Sequence, residues 1–298
     1  MTLQDVYDNF ILSRRLADLS PKTIYDYEQF IKPFLQFIGA QRSFSSITQT
    51  DLTSYLGKLL SRPLSKSTRA TYIRHVKIFL RWAQKEYKAA YTAETIRVPR
   101  SPRREVRIYS GEDVKAIFDS ITTETEWLTL RNKCIVALMY DSGLRQAEVC
   151  NIKLRNILLS ENRMTVHGKG DKERVVPLGK LTQCYMQGYL SHCPYKSDFL
   201  FVTRRGEPLT CNAVKLMVSR ISDSLPFELS SHKLRHNFAT NYCIDQYDRY
   251  GQIDIYRLMY LMGHEDVETT RRYLHFAYEI ISSRGCISHL DKVNLWEI

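Results

Sequence analysis

The chain of 298 residues exceeds the commonest size of a single domain, and its 44% apolar content can supply two cores. A formal net charge of +11 makes a polyanion the natural partner, and nucleic acid fits better than an acidic membrane surface. No uninterrupted apolar stretch of about 18 residues is present, and the amino terminus opens with acids, so we expect a soluble protein without a membrane span or export signal.

The seven cysteines form no CxxC pair. Their odd number and wide spacing argue against a disulfide framework or a zinc site. We expect buried thiols in a reducing cytoplasm and no metal site.

Charge is unevenly distributed along the chain. Residues 1–100 hold 16 lysines and arginines against 8 acidic residues, and the remainder holds 27 against 24. Charge runs usually lie on solvated faces, so the asymmetry alone does not separate an ordinary basic surface from a nucleic-acid interface.

Residues 3–90 are predicted to be helical. The first helix runs through Leu16, and a second follows Ser20-Pro21, where serine can cap and proline fits the first turn. Further starts are expected near Thr50-Asp51 and Ser65. The last helix, from Ser67 to Lys88, interleaves basic and apolar residues. Ordinary amphipathicity explains this pattern as well as DNA binding does; under the second interpretation the phosphate contacts are Arg69, Arg74, Lys77 and Arg81.

Residues 97–107, RVPRSPRREVR, contain two prolines and five arginines and almost nothing to bury. They predict an extended connector that could lie along a DNA groove through Arg100, Arg103 and Arg104. Ser110 and Asp113 then resemble a capping box for a helix through Ile121. We therefore expect a helical domain at 1–96, a basic connector at 97–108 and a second domain at 109–298.

The second domain is also mostly helical. An apolar helix is predicted from about Arg131 to Asp141, ended by Ser142-Gly143, and another begins near Arg145. Residues 163–178 break the pattern, because β-branched runs flank a Gly-Lys-Gly-Asp-Lys turn, as in a hairpin. Helical periodicity resumes after Leu181 and continues to about Ser283. The fold class is thus mainly α with a small antiparallel β-hairpin or sheet.

Four segments, taken in order, resemble the tyrosine recombinase (phage integrase) family: GLRQAE (143–148), HGKGDKER (167–174), HKLRH (232–236) and MGHEDVETTRRY (262–273). Each motif is weak alone, but their order and spacing are specific, with His264 nine residues before Tyr273. The similarity covers nearly the whole chain and is greatest to compact Xer-like members. It implies an amino-terminal helical core-DNA-binding (SAM-like) domain followed by a catalytic domain. Gln146 and Ala147, and a longer stretch at 241–259, depart from the usual pattern.

The resemblance implies a transesterification at a DNA phosphodiester. Arg145 and Arg235 would hold the non-bridging oxygens, a task that suits a planar cation that stays charged. Glu148 would orient Arg145, and a surface ion pair between these two residues is the plainer alternative. Tyr273 would be the nucleophile and form a 3′-phosphotyrosyl intermediate.

Proton transfer is assigned by the same resemblance. Tyrosine is a poor nucleophile at neutral pH, so His232 is our candidate general base, with His264 as a supporting hydrogen-bonding group near the phosphate. An isolated histidine is more often a satisfied core residue; the spacing to Arg235 and Tyr273 favours the functional interpretation. Lys169 in the hairpin turn would be the general acid and Lys172 a phosphate contact, although turn lysines are commonly just solvated.

One phosphoester replaces another in this reaction, so no cofactor is expected, neither ATP nor a metal ion, and the sequence has no GxxxxGK[ST] loop. The implied partners are a double-stranded DNA recombination site and three further copies in a homotetramer on two sites. Residues 281–298 could exchange onto a neighbouring subunit or pack on their own domain. The expected location is the cytoplasm, with the nucleoid. Alternatives are a catalytically inactive DNA-binding accessory factor of the same fold and a relaxing topoisomerase.

Overall fold

The computed structural model describes residues 1–99, 107–168 and 172–284. The chain divides into two compact units, Met1–Arg104 and Glu105–Ile298. This division falls inside the connector predicted at 97–108. The connector arginines Arg100, Arg103 and Arg104 lie outside the described residues, so their role stays a prediction.

Over residues 1–99 the first unit contains four α-helices, α1 (Leu3–Leu16), α2 (Pro21–Ile38), α3 (Gln49–Ser61) and α4 (Lys66–Glu86). Side-chain caps explain their starts: Ser20 caps α2 ahead of Pro21, and Ser65 caps α4, as predicted. Helix α3 begins slightly earlier than predicted because Thr48 forms a capping box with Asp51. These helices enclose an aromatic core around Phe10, Phe34 and Phe79.

Helix α4 buries its apolar side and leaves basic residues outside. Arg74 is exposed, as a phosphate contact requires. Three other predicted contacts bond within their own unit: Lys77 donates to the Ile96 carbonyl at 2.7 Å, Arg81 to Glu94 at 2.6 Å and Arg69 to the Leu60 carbonyl at 3.2 Å. The amphipathic pattern thus has a structural use as well as any role on DNA.

The second unit contains eight α-helices within its described residues: α5 (Gly111–Ser120), α6 (Glu126–Asp141), α7 (Gln146–Cys150), α8 (Lys180–His192), α9 (Cys211–Asp223), α10 (Ser231–Tyr250), α11 (Ile255–Met262) and α12 (Val267–Ser283). The capping box at Ser110 and the helix start near Arg145 are confirmed. Helix α6 begins about one turn earlier than predicted.

The expectation of continuous helical periodicity after Leu181 is wrong at 193–210. This segment carries Pro194, Gly206 and Pro208, which disfavour helix, and it makes two isolated bridges, Lys153 with Phe199 and Val202 with Pro208. Helices resume at Cys211, where Thr210 caps α9.

The predicted hairpin is confirmed as β2 (Arg163–His167) and β3 (Glu173–Pro177), and β1 (Ile157–Leu158), which the sequence analysis missed, adds a third antiparallel strand in the order β1-β2-β3. Val166 pairs with Arg174 across β2 and β3. Residues 164, 166, 174 and 176 are buried, so they form the inner face of the sheet. The hairpin tip, residues 169–171, lies outside the described residues.

The cysteines are not uniformly buried. Cys134, Cys150 and Cys243 are buried thiols, as predicted, whereas Cys184 and Cys211 are exposed and Cys193 is half-buried. The prediction fails where the thiol lies on the outer side of α8 or at the first turn of α9. Cys286 lies outside the described residues.

Among the described helices, none combines the length and apolar character needed to cross a bilayer.

Candidate active site

The first predicted arginine, Arg145, is placed by a tight turn between α6 and α7. Gly143 has φ +64°, and a Cβ there would overlap the Phe238 ring, so glycine is required. The Glu148 carboxylate accepts from the Arg145 backbone N–H at 2.7 Å and from Arg145 Nη1 at 2.9 Å. Glu148 is buried, so the pair is not an exposed surface ion pair, which was the alternative interpretation of these two residues.

Arg235, one turn into α10, is only 6% exposed. Its Nη1 donates to the Gly143 carbonyl, and its Nη2 donates to the Met262 carbonyl. Burial, followed by the neighbouring charge of Arg145, lowers the pKa of Arg235 to about 9. This value is still above neutral pH, so the guanidinium stays charged. Main-chain carbonyls therefore hold a buried cation in a fixed orientation.

A third arginine, Arg174 on β3, was missed by the sequence analysis. It is 5% exposed and donates from Nη1 and Nη2 to the two oxygens of Glu148, each at 2.8 Å. Strand alternation was an available signal, because position 174 shares the inner face of the sheet with Val176. We call Arg145, Arg174 and Arg235 the arginine cluster.

The arginine cluster surrounds a single carboxylate, so the group carries a formal charge of +2. Burial raises the pKa of Glu148, but hydrogen bonds from Arg174 and Arg145 outweigh it, and the net shift is downward. Glu148 is thus ionised at neutral pH, and the group has an excess of positive charge that suits an anion.

His264 follows Gly263, the left-handed residue that ends α11 with φ +58°. The Gly263 carbonyl accepts from Arg145 Nη2 at 2.7 Å, which ties this turn to the arginine cluster. His264 Nε2 lies 3.2 Å from Arg235 Nη2 and its Nδ1 lies 2.8 Å from the Thr270 hydroxyl. Burial and the charge of Arg235 lower the pKa of His264 to about 3. The imidazole is therefore neutral, with Nε2 accepting from the guanidinium and the proton on Nδ1.

Tyr273 lies on α12, and only 1% of the residue is exposed. Its ring stacks 6.1 Å from that of His264 at an interplanar angle of 12°. The two residues, nine positions apart in the sequence, are therefore neighbours in the structure. The Tyr273 hydroxyl accepts from Arg272 Nη2 at 3.0 Å, and the His236 ring packs edge-on at 4.8 Å.

Arg272 and His236 were not among the predicted site residues. Both stand inside the quoted motifs, beside Tyr273 and one helical turn after His232, so position alone could have nominated them. Burial, with the charge of Arg272, lowers the pKa of His236 to about 4. His236 is therefore a neutral aromatic support under Tyr273.

His232, the predicted general base, does not contact the Tyr273 hydroxyl. Its ring is exposed and lies 6.5 Å from that of His236. Partial loss of water and the charges of Arg272 and Arg235 lower the pKa of His232. Lys172 is exposed and pairs with Glu265 at 3.1 Å, and Lys169 lies outside the described residues. The structure thus brings together Arg145, Glu148, Arg235, His264 and Tyr273.

The described residues hold no group of three or more His, Cys, Asp or Glu side chains arranged for a metal ion. The long stretch at 241–259 is accommodated by α10, which continues to Tyr250, and by a short turn before α11. It therefore leaves His264 beside Arg235.

Comparisons with known proteins agree with this architecture. Residues 108–279 match the phage integrase family, and residues 5–87 match the phage integrase N-terminal SAM-like domain. The fold also resembles solved structures: XerH recombinase in a post-cleavage complex with a palindromic difH substrate has a TM-score of 0.72 at 23% identity, covering 89% of this chain and 79% of that one. A lambda integrase dimer bound to a COC′ core site has a TM-score of 0.72 at 17% identity, covering 92% and 77%.

Two sequence relatives match this chain over nearly its whole length. The tyrosine recombinase XerC of Alcanivorax borkumensis is 30% identical over 288 residues, which covers 93% of this chain and 91% of that protein. XerC of Staphylococcus aureus is 28% identical over 281 residues, covering 92% and 91%. The chain therefore belongs to the phage integrase family and is a tyrosine recombinase, an enzyme that cuts and rejoins DNA strands at specific sites.

Proposed function

We propose that Tyr273 is the nucleophile of this recombinase and that Arg145 and Arg235 bind the scissile phosphate. The observation that carries the proposal is the arginine cluster, a group of formal charge +2 whose guanidinium groups are held by Glu148 and by main-chain carbonyls beside the tyrosine. Fixed cations of this kind stabilise the negative charge that grows on non-bridging oxygens in the transition state.

In the forward step, the Tyr273 oxygen forms a bond to phosphorus while the bond from phosphorus to the 5′ oxygen breaks. The phenolic proton leaves to a base, and the departing 5′ oxygen takes a proton from an acid. The product is a 3′-phosphotyrosine and a free 5′ hydroxyl. A 5′ hydroxyl from a partner strand reverses the step, so the number of phosphoester bonds is conserved.

His232 is the proposed base. Its depressed pKa makes the imidazole neutral at pH 7 and able to accept a proton, and its exposure lets it meet a tyrosine that has moved toward DNA. Arg272 would have to release the hydroxyl, or follow it and stabilise the phenolate. The neutral His264 would donate from Nε2 to the phosphate, which requires its contact with Arg235 to break and its proton to move from Nδ1 to Nε2, with the Thr270 hydroxyl then donating to Nδ1.

The hairpin and the basic surfaces would complete the DNA contacts. Lys169 is the proposed general acid, and Lys172 is proposed to exchange Glu265 for a phosphate. In the first unit, Arg69, Arg74, Lys77 and Arg81 are proposed to position DNA through its backbone, together with the connector arginines. DNA as substrate also implies association with the nucleoid in the cytoplasm.

The assembly follows from stoichiometry. Exchange between two duplexes requires four strand cleavages, and each chain offers one Tyr273, so we propose a homotetramer on two sites. Residues 281–298, of which 285–298 lie outside the described residues, are proposed to dock on a neighbouring copy. The proposed task is integration or excision of a mobile element, or resolution of chromosomes or plasmids.

The test uses a duplex selected from a random-sequence pool by binding and located by footprinting, with a 5′-bridging phosphorothiolate at each candidate phosphate. A thiolate leaving group does not return readily, so the covalent protein–DNA adduct accumulates and is scored on denaturing gels. We expect an adduct with wild type and with Tyr278→Phe, a control exposed on the same helix, and none with Tyr273→Phe. Specific occupancy without any wild-type adduct would show an inactive accessory factor instead.

A further inference from the structure

The buried arginine of β3 has contacts to two other elements. Besides its two bonds to Glu148 on α7, Arg174 donates from Nε to the Leu261 carbonyl of α11 at 2.8 Å. With only 5% of the residue exposed and these donors directed inward, Arg174 does not face a DNA backbone. Its effect on the reaction must therefore pass through its partners.

The Glu148 carboxylate is fully shared between two arginines. Arg174 takes one bond to each oxygen, and Arg145 takes a backbone bond to Oε2 and a side-chain bond to Oε1. A carboxylate offers about four acceptor positions, so these four bonds saturate it. Arg235 stays outside this set, with Nη1 3.9 Å from Glu148 Oε2.

We propose that Arg174 is a positioning residue, which occupies Glu148 so that Arg145 and Arg235 remain turned toward the scissile phosphate. This inference rests on the proposed function of those two arginines. Without Arg174, the buried carboxylate has two open acceptor positions and attracts both remaining guanidinium groups. Their N–H donors then turn inward, and the formal charge of the group falls from +2 to +1.

A guanidinium is required for this role. Its planar fork spans both oxygens of Glu148, while the third donor reaches Leu261. Lysine at this position preserves the charge but provides a single nitrogen on a flexible stem. The Arg174→Lys variant therefore separates geometry from charge.

Two alternative roles for Arg174 have different consequences. Arg174 could simply hold the fold together, since breaking a buried ion pair typically destabilises a protein by several kcal/mol. It could instead hold the hairpin that carries Lys169, because β3 follows the hairpin tip. A 5′-bridging phosphorothiolate distinguishes the latter, since a thiolate leaves without a general acid and makes Lys169 dispensable.

The experiment measures single-turnover cleavage by wild type, Arg174→Lys and Arg174→Gln on the footprinted duplex, with an ordinary phosphodiester and with the phosphorothiolate. The Kd for DNA and the melting temperature are measured in parallel, and rates are taken well below every melting temperature. Arg163→Gln is the matched control, because Arg163 lies on the neighbouring strand in an exposed pair with Glu161. If Arg174→Gln does not fold, Arg174→Lys decides.

We expect Arg174→Lys to cleave about 10 to 100 times more slowly on both substrates, with the Kd within about 3-fold of wild type, because misplacement of catalytic groups by about 1 Å can have effects of this size. Wild-type cleavage rates in the folded variant, or a defect restored by the phosphorothiolate, would overturn the proposal. If wild type itself forms no Tyr273-dependent adduct, the proposed function fails and this inference with it. An adduct in wild type with no loss in Arg174→Lys removes the inference alone.

Discussion

The two units use positive charge in different ways. Residues 1–100 hold twice as many basic as acidic residues, and the basic side chains of α4 are mostly exposed or paired at the surface with Glu94. The rest of the chain is nearly balanced, with 27 basic against 24 acidic residues, yet it contains the arginine cluster, in which Arg174 and Arg235 are buried.

From this contrast we infer that the net charge of the first unit and the individually oriented charges of the second unit serve different steps, DNA binding and strand cleavage. An excess of exposed cations attracts any polyanion through counterion release, and its effect is screened by salt. In the proposed function the arginine cluster, oriented by carbonyls and one carboxylate, acts instead at a single phosphate and in the transition state. We therefore expect substitutions of arginines in the second unit to change the cleavage rate, and substitutions in the first unit to change the salt-dependent affinity for DNA.

The largest effect is expected for Arg235→Lys. The variant keeps a charge but loses the fork that joins the Gly143 and Met262 carbonyls, so adduct formation should slow by about 100- to 1000-fold. Single-turnover cleavage on saturating DNA measures this. Arg220→Lys, an exposed change on α9, is the control. A loss of less than about 3-fold in folded Arg235→Lys would show that the reaction does not require the guanidinium geometry at this position.

A smaller effect is expected for Gly263→Ala. The added Cβ would lie 3.1 Å from Arg145 Nη1 and 2.9 Å from Arg174 Nη1, and alanine disfavours the left-handed backbone by about 1 kcal/mol. We expect cleavage to slow by about 10-fold.

Gly251→Ala is a closely matched control for that change. Gly251 also ends a helix with positive φ, at +68°, but a Cβ there meets nothing within 4 Å. Both variants should lower the melting temperature through the left-handed backbone, Gly263→Ala somewhat more because of its close contacts, whereas only Gly263→Ala should lose rate. Equal rate losses would mean that helix-end strain, rather than displaced arginines, is responsible.

The third prediction concerns the pH dependence of stability in the second unit, where a neutral imidazole is buried near cations. His236 has a folded pKa of about 4, against about 6.5 when unfolded, so between these values the unfolded chain binds the extra proton. Stability from this group is present above pH 6.5 and falls as pH drops toward 4, by up to about 1.4 kcal/mol per pH unit. Denaturant titrations should show a shallower acid loss in His236→Phe, with exposed His192→Gln following wild type. Parallel curves for His236→Phe and wild type would contradict this prediction.

The smallest effect is expected on α4. Arg74→Gln should reduce the slope of log affinity against log salt by about 1 and weaken binding a few-fold, without changing cleavage at saturating DNA. Arg81→Gln should change the slope less, because Arg81 already pairs with Glu94 at 2.6 Å. Identical slopes for wild type and Arg74→Gln would remove α4 from the DNA contact.

Local signals predicted much of this fold. Caps at Ser20, Ser65 and Ser110 depend on side chains within three residues of the helix start, and the hairpin depends on strand patterns beside one turn, so the sequence carries them directly. The segment at 193–210 and the short β1 were missed because their pairing partners are distant or few. Turn residues in the segment indicated a break that was overlooked.

The candidate site was predicted in part. Motif order located Arg145, Glu148, Arg235, His264 and Tyr273, which do assemble. The same order did not reveal that the Tyr273 hydroxyl accepts a hydrogen bond from Arg272, or that His232 does not contact Tyr273. Those contacts depend on how α10 and α12 pack, which no local pattern specifies. Arg174 was missed because a charged residue in a strand is normally read as exposed, and its partner Glu148 is 26 residues away.

The anchors of Arg145 and Arg235 are largely main-chain oxygens, at residues 143, 262 and 263. A carbonyl belongs to every amino acid, so substitutions that preserve the path of the chain leave these acceptors in place. The side chains around the site can therefore diverge over evolutionary time without redirecting the guanidinium groups. For a protein engineer, this leaves surrounding surfaces open to redesign for new DNA targets, provided that the two turns keep their shape.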